Sequence, residues 1–264
     1  MLSYQHLYHA GNMADVHKHG LLAFMLDYMA RKDKPLSYIE THAGRGLYDL
    51  GAAEALKTGE AARGIGRAAG WFGPDHPYAR VLAAVRAGHG AAAYPGSPLV
   101  AAMCLRPSDT LHLAELHPQE FAALQEAMIR APAICYKRDG LALALALTPP
   151  VPRRGLMLLD PSYEVKTDYE VLPKVIGQVH AKWNVGCIVL WYPILATAAH
   201  LGMLEALGGA HPGGFRHEIR FPPARAGHGM VGSGLFVLNA PFGLAEEAAR
   251  IGGLAREAGT FGHP

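Results

Sequence analysis

Continuous apolar segments recur along the chain, and most of them end in a polar or acidic residue that is followed by a turn. Amphipathic stretches lie between these segments, for example at residues 118–130 and 168–183. Continuous apolar strands that alternate with helices are typical of a parallel sheet buried on both faces. The pattern therefore predicts an α/β fold whose first five strands lie at residues 36–44, 110–115, 133–139, 155–160 and 186–192.

The last part of the chain has a different pattern. Residues 217–221 and 234–239 have the composition of two strands, and a loop rich in proline and glycine joins them. Two strands linked in this way favour an antiparallel hairpin. We therefore expect the sheet to end in a C-terminal antiparallel hairpin.

Residues 47–100 interrupt the alternation of strands and helices. They contain two short helical patterns, at 51–63 and 76–87, with turn-rich sequence between them. A chain of 264 residues, half of them apolar, has the size of one large domain. We therefore expect one domain spanning residues 1–264, with an inserted helical subdomain at residues 47–100.

Polar side chains follow four of the predicted strands directly. These side chains are His42, Glu115, Asp139 and Asp160. Ligands of open α/β sheets bind at the carboxyl ends of the strands. The sequence therefore predicts that the four residues meet at one ligand site.

Two of these carboxylates have positions that suit a bound nucleoside. Glu115 can accept hydrogen bonds from both ribose hydroxyls, and Asp139, which precedes Gly140, can accept one from an adenine amine. Each carboxylate also has the position of a helix N-cap, which is a structural role without a ligand. The recurrence of acidic residues at equivalent strand ends favours the ligand site.

The segment Asp160-Pro161-Ser162-Tyr163 carries the most specific chemistry. It resembles the Asp/Asn-Pro-Pro-Tyr motif of amine-directed methyltransferases. The N6 lone pair of adenine is delocalised into the ring and is a poor nucleophile. The Asp160 carboxylate and the Pro161 carbonyl can accept the two amine hydrogens, and Tyr163 can stack on a base held outside its helix. The alternative is an ordinary turn of this composition.

Composition narrows the possible environments. The formal net charge of +2 is weak evidence for or against nucleic acid. Cys104, Cys135 and Cys187 are odd in number and lie far apart, which indicates free thiols in a reducing compartment. The chain shows neither a membrane-spanning apolar run nor the pattern of a signal peptide, so we expect a cytoplasmic protein.

Histidines are frequent in the chain, which raises the possibility of a metal site. His17 and His19 are two residues apart, however, and would point to different faces of a helix. The sequence also lacks the usual zinc-binding motifs. We therefore expect no metal in the reaction.

Several motifs together identify a family resemblance. They appear in the family's order across nearly the whole chain, and the first block is the most specific. The chain resembles the bacterial 23S ribosomal RNA adenine-N6 methyltransferases known as RlmJ. The motifs are Tyr4-x-x-x-x-His9-Ala10-Gly11-Asn12-x-Ala14-Asp15-Val16-x-Lys18-His19, Thr41-His42-Ala43-Gly44, Tyr94-Pro95-Gly96-Ser97-Pro98, Glu115-Leu116-His117-Pro118 and Asp160-Pro161-x-Tyr163-Glu164.

The resemblance implies a fold, a cofactor and a substrate. The implied fold is the Rossmann-like fold of class I S-adenosylmethionine-dependent methyltransferases, a seven-stranded, mostly parallel sheet with an inserted helical subdomain. The implied substrate is adenine 2030 of 23S ribosomal RNA, in the usual numbering. We expect this RNA to be protein-free or at an early stage of assembly, and the enzyme to be a monomer. S-adenosylmethionine would be contacted by His19, His42, Ser97, Glu115, Asp139, Gly140 and Asp160.

The resemblance also implies two catalytic or substrate-binding roles. Asp160 would be the catalytic proton acceptor, and Tyr4 would contact the RNA. Ser162 is a departure, since the family has proline there. Serine adds an N–H and conformational freedom, which affects the rate and the positioning of the base more than the type of reaction.

Two other functions are compatible with the residues. A DNA adenine-N6 methyltransferase is one, because Asp-Pro-x-Tyr serves both nucleic acids. A non-catalytic RNA-binding or assembly protein that retains a cofactor pocket is the other, and Ser162 is the feature that supports it.

Overall fold

The computed structural model describes residues 6–223 and 229–260. Its strands are β1 (Ser37–Glu40), β2 (Leu47–Asp49), β3 (Ala93–Pro95), β4 (Thr110–Ala114), β5 (Ala133–Tyr136), β6 (Gly155–Leu159), β7 (Cys187–Leu195), β8 (Phe215–Arg220) and β9 (Met230–Leu238). Its helices are α1 (Met13–Ala30), α2 (Ala53–Thr58), α3 (Glu60–Arg63), α4 (Ile65–Ala68), α5 (Pro77–His89), α6 (Ser97–Cys104), α7 (Pro118–Ala127), α8 (Gly140–Leu147), α9 (Asp168–Lys182), α10 (Leu201–Ala210) and α11 (Leu244–Thr260).

Within the described ranges, seven strands form one sheet in the order β5-β4-β1-β6-β7-β9-β8. Neighbouring strands run parallel, except that β9 is antiparallel to both β7 and β8. This order and these directions are those of class I methyltransferases, and the predicted fold class is confirmed. The C-terminal hairpin is present, and β9 lies between β7 and β8.

The strands form where the sequence is continuously apolar because both faces of the sheet are covered. Every residue of β1 and β6 is buried. Side chains on one face pack against α1, and those on the other form a second core with α9 and α10. A parallel strand that is buried on both faces cannot show the alternating pattern of a half-exposed one, which explains why the apolar runs located the strands.

Helix α1 precedes the first strand and is buried along most of its length. Asn12 is its N-cap, and the Asn12 side-chain oxygen accepts a hydrogen bond from the Asp15 N–H at 2.9 Å. Such a cap satisfies a backbone donor that the first helical turn leaves without a partner. The cap fixes where α1 starts, and therefore which side chains of its first turns face the sheet.

Residues 47–100 contain more than the helices predicted there. Helices α2 to α5 lie in this range, and strands β2 and β3 pair in a small antiparallel sheet. The predicted helix at 51–63 is divided at Gly59, whose left-handed backbone (φ +63°) ends α2. Helix α6 begins at Ser97, so the predicted boundary at residue 100 falls within it. In the part of the chain that the structure describes, every helix is too short or too polar to cross a membrane.

Candidate active site

A cavity of about 580 Å³ opens at the carboxyl ends of the central strands. All the described residues that the sequence predicted for the site line this cavity, although they are dispersed between α1 and the segment after β6. They are His19, His42, Ser97, Glu115, Asp139, Gly140, Asp160, Pro161 and Tyr163. Their roles stay predictions. Tyr4, predicted to contact RNA, lies outside the described residues.

Asp160 follows β6 directly and forms an ion pair with Lys18 of α1. Lys18 Nζ donates to Asp160 Oδ2 at 2.5 Å and lies 3.2 Å from Asp15 Oδ1. Burial by itself would lower the pKa of this ammonium, but the carboxylates of Asp160 and Asp15 raise it above its ordinary value. Lys18 is therefore a fixed cation between two carboxylates at the wall of the cavity.

Asp15 connects the first turns of the chain to Lys18. Its Oδ2 accepts a hydrogen bond from the Gly11 N–H at 2.9 Å and lies 2.8 Å from His6 Nε2. Burial would raise the pKa of this carboxyl, but His6 and Lys18 hold it well below its usual range. Asp15 is therefore an ionised partner that keeps Lys18 in place.

Tyr163 has a backbone conformation that side chains rarely adopt, with φ +57°. Such a residue costs about 1–3 kcal/mol unless its surroundings hold it. The Tyr163 hydroxyl donates to the Trp191 carbonyl at 2.7 Å, and its ring packs 4.8 Å from that of Tyr169. The ring is buried at the cavity wall. The segment after Asp160 is therefore a fixed turn.

The backbone of the loop after β1 comes very close to the start of α8. A Cβ at Gly140 would lie 1.7 Å from the Thr41 carbonyl oxygen, so only glycine fits there. Gly44 has φ +62°, a conformation that also favours glycine. Gly140 lets the segment after β5 reach the loop after β1, so that His42 and Asp139 both lie on the cavity wall.

Glu115 is held by the loops on both sides of it. Its Oε2 accepts from the Gly44 N–H at 2.9 Å and its Oε1 from the His117 N–H at 2.7 Å. Burial raises the pKa of this carboxyl. Each carboxylate oxygen has a second lone pair, so Glu115 keeps acceptor capacity toward the cavity.

Asp139 has both of the roles that the sequence left open. It is the N-cap of α8, with Oδ1 accepting from the Ala142 N–H at 2.7 Å, and it also lines the cavity. An N-cap uses one carboxylate oxygen and leaves the other for a ligand. The structural role therefore does not remove Asp139 from the site.

His19 is oriented by two tyrosines of the insertion. Its Nδ1 lies 3.0 Å from the Tyr94 hydroxyl, which lies 2.9 Å from that of Tyr78. Burial, which outweighs the nearby Asp15, lowers the pKa of His19 to about 3. A neutral imidazole that is fixed at one nitrogen can present the other to a ligand.

Ser97 is the first residue of α6, and its hydroxyl donates to Glu40 Oε1 at 2.5 Å. The Tyr38 hydroxyl donates to Glu40 Oε2 at 2.9 Å. Burial raises the pKa of Glu40 to about 8, more than the two hydroxyl donors lower it. Ser97 also lines the cavity, and its hydroxyl oxygen keeps acceptor capacity for a ligand.

Sequence reasoning missed several of the residues around Asp160. Asp15, Lys18 and Trp191 line the cavity, yet none follows a predicted strand directly. One available signal was the spacing of Asp15 and Lys18, which form an i,i+3 pair on a buried helix. Among the described residues, no group of three His, Cys, Asp or Glu side chains is placed to hold a metal ion.

The cavity fits the cofactor that the family resemblance implies. Its volume is within the usual range for small-molecule and cofactor sites. Glu115 and Asp139 stand at neighbouring strand ends, where a ribose and an adenine amine need acceptors. The close approach of Gly140 to Thr41 keeps side chains out of the space between them. These residues would hold the nucleoside, which leaves the Asp160 end for the reactive group.

Comparison with known proteins supports the same family over nearly the whole chain. The family model described as "Ribosomal RNA large subunit methyltransferase D, RlmJ" matches residues 33–258. Ribosomal RNA large subunit methyltransferase J of Escherichia coli (strain K12) is 38% identical over 261 residues, which cover 95% of this chain and 91% of that protein. The protein of the same name from Haemophilus influenzae is 36% identical, with 95% and 92% covered.

A solved structure extends the similarity to three dimensions. The crystal structure of a protein from Legionella pneumophila (strain Philadelphia 1) superposes with a TM-score of 0.87 at 33% sequence identity, covering 96% of this chain and 95% of that one. The family match, the two relatives and the site at the carboxyl ends of the strands agree. The chain belongs to the RlmJ family of large-subunit ribosomal RNA methyltransferases.

Proposed function

We propose that this methyltransferase transfers a methyl group from S-adenosylmethionine to the exocyclic N6 amine of an adenine in 23S ribosomal RNA. The observation that supports the reaction is the position of Asp160-Pro161-Ser162-Tyr163. This motif follows β6 inside the cavity, and Lys18 holds one oxygen of its carboxylate at 2.5 Å. The relatives named as ribosomal RNA large subunit methyltransferases support the substrate class. Adenine 2030 is the target that the family resemblance implies.

The residues that follow the strands would bind the cofactor. Glu115 would accept the ribose hydroxyls, and Asp139 with Gly140 would bind the adenine end. His42, Ser97 and His19 would contact the remainder near α1 and β1. When bound, S-adenosylmethionine supplies an electrophilic methyl group on its sulfonium.

Asp160 and Pro161 would make the target amine a better nucleophile. Within the described ranges, Lys18 is the residue that donates to the Asp160 carboxylate, through Oδ2, so Oδ1 remains for one amine hydrogen. The Pro161 carbonyl would accept the other. Two acceptors reduce the delocalisation of the nitrogen lone pair into the ring. The methylated nitrogen must then lose one proton, and Asp160 would accept it.

Lys18 would orient the Asp160 carboxylate and balance its negative charge. A cation 2.5 Å from Oδ2 restrains the position of that oxygen, and a restrained acceptor loses less orientational freedom when the amine arrives. Without Lys18, Asp160 would stand close to buried Asp15 with no intervening cation. We therefore assign Lys18 to the catalytic machinery together with Asp160.

Tyr163 and Tyr4 complete the proposed substrate site. Tyr163 would bound the pocket of the extruded base, and its fixed turn would set the distance between that base and Asp160. Contact between Tyr4 and the RNA stays a prediction that rests on the family resemblance. As part of the same proposal, the enzyme acts as a monomer in the cytoplasm.

The deciding experiment is transfer of labelled methyl groups to deproteinised 23S RNA, intact large subunits and DNA, followed by nucleoside analysis. We expect N6-methyladenosine in the RNA, at a single position. Label in deoxyadenosine would instead support a DNA methyltransferase. Cofactor binding without transfer to any substrate would support a non-catalytic RNA-binding protein.

A further inference from the structure

Trp191 lies beside the proposed catalytic group because of the register of the sheet. Leu159 of β6 pairs with Leu190 of β7, so Asp160 and Trp191 are the next residues on adjacent strands. The Trp191 indole lines the cavity and lies under the Lys18 ammonium, with Nζ 5.4 Å from the ring centroid. A cation over the face of an indole is attracted by the ring, most strongly where water is excluded.

The polar groups of Trp191 are fixed as well. Its carbonyl accepts the hydrogen bond from the Tyr163 hydroxyl at 2.7 Å, and its indole N–H donates to Ser233 Oγ at 2.9 Å. Trp191 therefore contacts both the cation that holds Asp160 and the tyrosine of the catalytic motif. None of the roles assigned above uses this residue.

Ser233 links the indole to a pair of histidines that the reaction does not use. Ser233 in β9 is fully buried, and its Oγ lies 2.9 Å from His17 Nδ1. His17 is fully buried in α1, and its Nε2 lies 2.9 Å from Nδ1 of His217 in β8. We call Trp191, Ser233, His17 and His217 the indole chain; it connects β7, β9, α1 and β8.

The hydrogen bonds of the indole chain can all donate in the same order, from Trp191 through Ser233 and His17 to His217. Ser233 Oγ accepts the Trp191 N–H, and the Ser233 hydroxyl can donate to His17 Nδ1 when the His17 tautomer leaves that nitrogen unprotonated. A neutral His17 then carries its hydrogen on Nε2 and donates it to His217. Burial, with His217 adding to it, lowers the pKa of His17 well below its ordinary value, in agreement with a neutral ring.

We infer that Trp191 is a positioning residue of the active site: its indole, anchored by the indole chain, holds Lys18 against Asp160 and meets the edge of the Tyr163 ring, with centroids 6.0 Å apart. This inference rests on the proposed function for its kinetic consequences. The arrangement also explains the order of residues in α1. His17 anchors the indole and the next residue, Lys18, lies on its face.

Three variants separate the ring from its anchor. Trp191→Leu removes the aromatic face, Trp191→Phe keeps a ring but removes the N–H, and Ser233→Ala removes the link to His17. Trp183→Phe is the control, because the buried Trp183 indole, like the partly buried one of Trp191, donates a hydrogen bond, in this case to the Arg153 carbonyl. Trp183 precedes the same strand, β7, at its opposite end.

The kinetic test compares kcat with cofactor affinity. Displacing a positioned group by about 1 Å can cost about a hundredfold in rate, so we expect Trp191→Leu to lower kcat by about tenfold to a hundredfold. Trp191→Phe and Ser233→Ala should lower it less, and Trp183→Phe should leave it unchanged. The dissociation constant for S-adenosylmethionine should stay the same in all four variants. Wild-type kcat in Trp191→Leu, or a loss of cofactor affinity that parallels kcat, would overturn the inference.

A second readout needs no activity. Reductive methylation with formaldehyde, followed by mass spectrometry, should leave Lys18 unmodified in the wild type and in Trp183→Phe, but should modify it in Trp191→Leu. The Trp191 indole N–H should exchange slowly with deuterated water in the wild type and quickly in Ser233→Ala. An equally protected Lys18 in Trp191→Leu would contradict the positioning role. If Trp191→Leu does not fold, Trp191→Phe and Ser233→Ala carry the test.

The two readouts also separate this inference from the proposed function. A wild-type protein that methylates no nucleic acid would contradict the proposed function, while Lys18 modification would still decide whether Trp191 positions Lys18. An active wild type whose Trp191 variants keep both full kcat and Lys18 protection would contradict only the role of Trp191.

Discussion

Each end of the central sheet carries a carboxylate paired with a cation, the buried Asp109 at the amino end and the partly buried Asp160 at the carboxyl end. The two pairs differ in the acceptor sites that they leave for a ligand. At the amino end, Asp109 Oδ1 accepts from the Leu36 N–H and from Arg106 Nη2, while Oδ2 accepts from Arg106 N and Nε. At the carboxyl end, the hydrogen bond to Asp160 within the described residues comes from Lys18, through Oδ2.

The cations show the same difference. Arg106 also donates to the carbonyls of Lys32 and Lys34, so it joins loops of the fold. Lys18 is directed at carboxylates in the wall of a cavity. A carboxylate whose acceptor sites are filled by its own chain stabilises the fold. One with a free oxygen facing a cavity can act on a ligand.

The largest effect should come from removing the charge of the carboxylate at the cavity. Asp160→Ala removes both acceptor oxygens, whereas asparagine, which the motif also allows, would keep one of them. We expect kcat to fall by about 10²–10⁴-fold, the range for a positioned proton acceptor, with the protein still folded and able to bind S-adenosylmethionine. Single-turnover methyl transfer and calorimetry measure the two quantities.

The corresponding variant at the other end of the sheet is Asp109→Asn. It should lower the free energy of unfolding by about 1–3 kcal/mol, because a buried carboxylate loses acceptor capacity, and leave kcat unchanged. Denaturant unfolding and the same turnover assay measure these effects. The contrast between the two ends fails if Asp160→Ala retains wild-type turnover or if Asp109→Asn loses it.

The second prediction concerns Glu115, which has features of both kinds of carboxylate because it holds two loops and also faces the cavity. Glu115→Ala should weaken the binding of S-adenosylmethionine by about 1.5–3 kcal/mol, the range for a hydrogen bond to a charged group. Calorimetry measures this loss, with Asp109→Asn as the control that keeps its affinity. Unchanged affinity in a folded Glu115→Ala protein would leave Glu115 with the structural role alone.

The third prediction concerns the dependence of stability on pH. The buried carboxyls of Glu40, at the carboxyl end of β1, and Asp109, at the amino end of the sheet, should titrate with opposite effects on the free energy of unfolding. The pKa of Glu40 is raised from 4.5 to about 8. Between these values the folded protein keeps the Glu40 proton and the unfolded chain has lost it, so stability falls as pH rises. The slope for one proton is at most about 1.4 kcal/mol per pH unit, and it disappears above about pH 8.

For Asp109 the sign is reversed. Burial would raise the pKa of its carboxyl, but hydrogen bonds from Arg106 and Leu36 hold it below the ordinary value. Its stabilisation is therefore present above the unfolded pKa and is lost as pH falls through the folded one. Denaturant unfolding between pH 4.5 and 8 should show a flatter profile for Glu40→Gln than for the wild type. Identical profiles would mean that Glu40 is not protonated in this range.

The smallest effect is expected at Ser162, which is exposed beside the catalytic residues. Ser162→Pro restores the residue of the family motif. It should raise the free energy of unfolding by about 0.4–1 kcal/mol, because proline restricts the unfolded chain, with little change in cofactor affinity. Thermal unfolding and turnover measure the result. A destabilised protein would mean that the backbone at residue 162 is incompatible with proline.

The sequence was sufficient to predict the positions of the strands because the parallel sheet is buried on both faces. The apolar runs located β1, β4, β5, β6 and β7 to within a few residues at most boundaries. It also predicted the strand-end residues His42, Glu115, Asp139 and Asp160, since the topology of an α/β sheet brings strand ends together. The cavity contains all four.

The remaining part of the site depends on tertiary packing that a linear pattern does not contain. Lys18 is buried next to Asp160, which is 142 residues away along the chain. Trp191 lies beside Asp160 through the pairing of β6 with β7, and the insertion of β9 between β7 and β8 brings Ser233 to the indole. An apolar run shows that a strand exists but does not show which strand lies next to it.

Three consecutive residues of α1 contact three different parts of the molecule, which limits how the length of this helix can change. His17 reaches Ser233, Lys18 reaches Asp160, and His19 reaches Tyr94. Each residue advances an α-helix by about 100°, so one residue inserted or deleted between Asn12 and His17 would turn all three side chains away from their partners together. Variants of altered length should therefore be tolerated at an exposed turn such as Gly73–Asp75 and not in the first turns of α1. An engineered fusion or tag should therefore leave the number of residues between Asn12 and His17 unchanged.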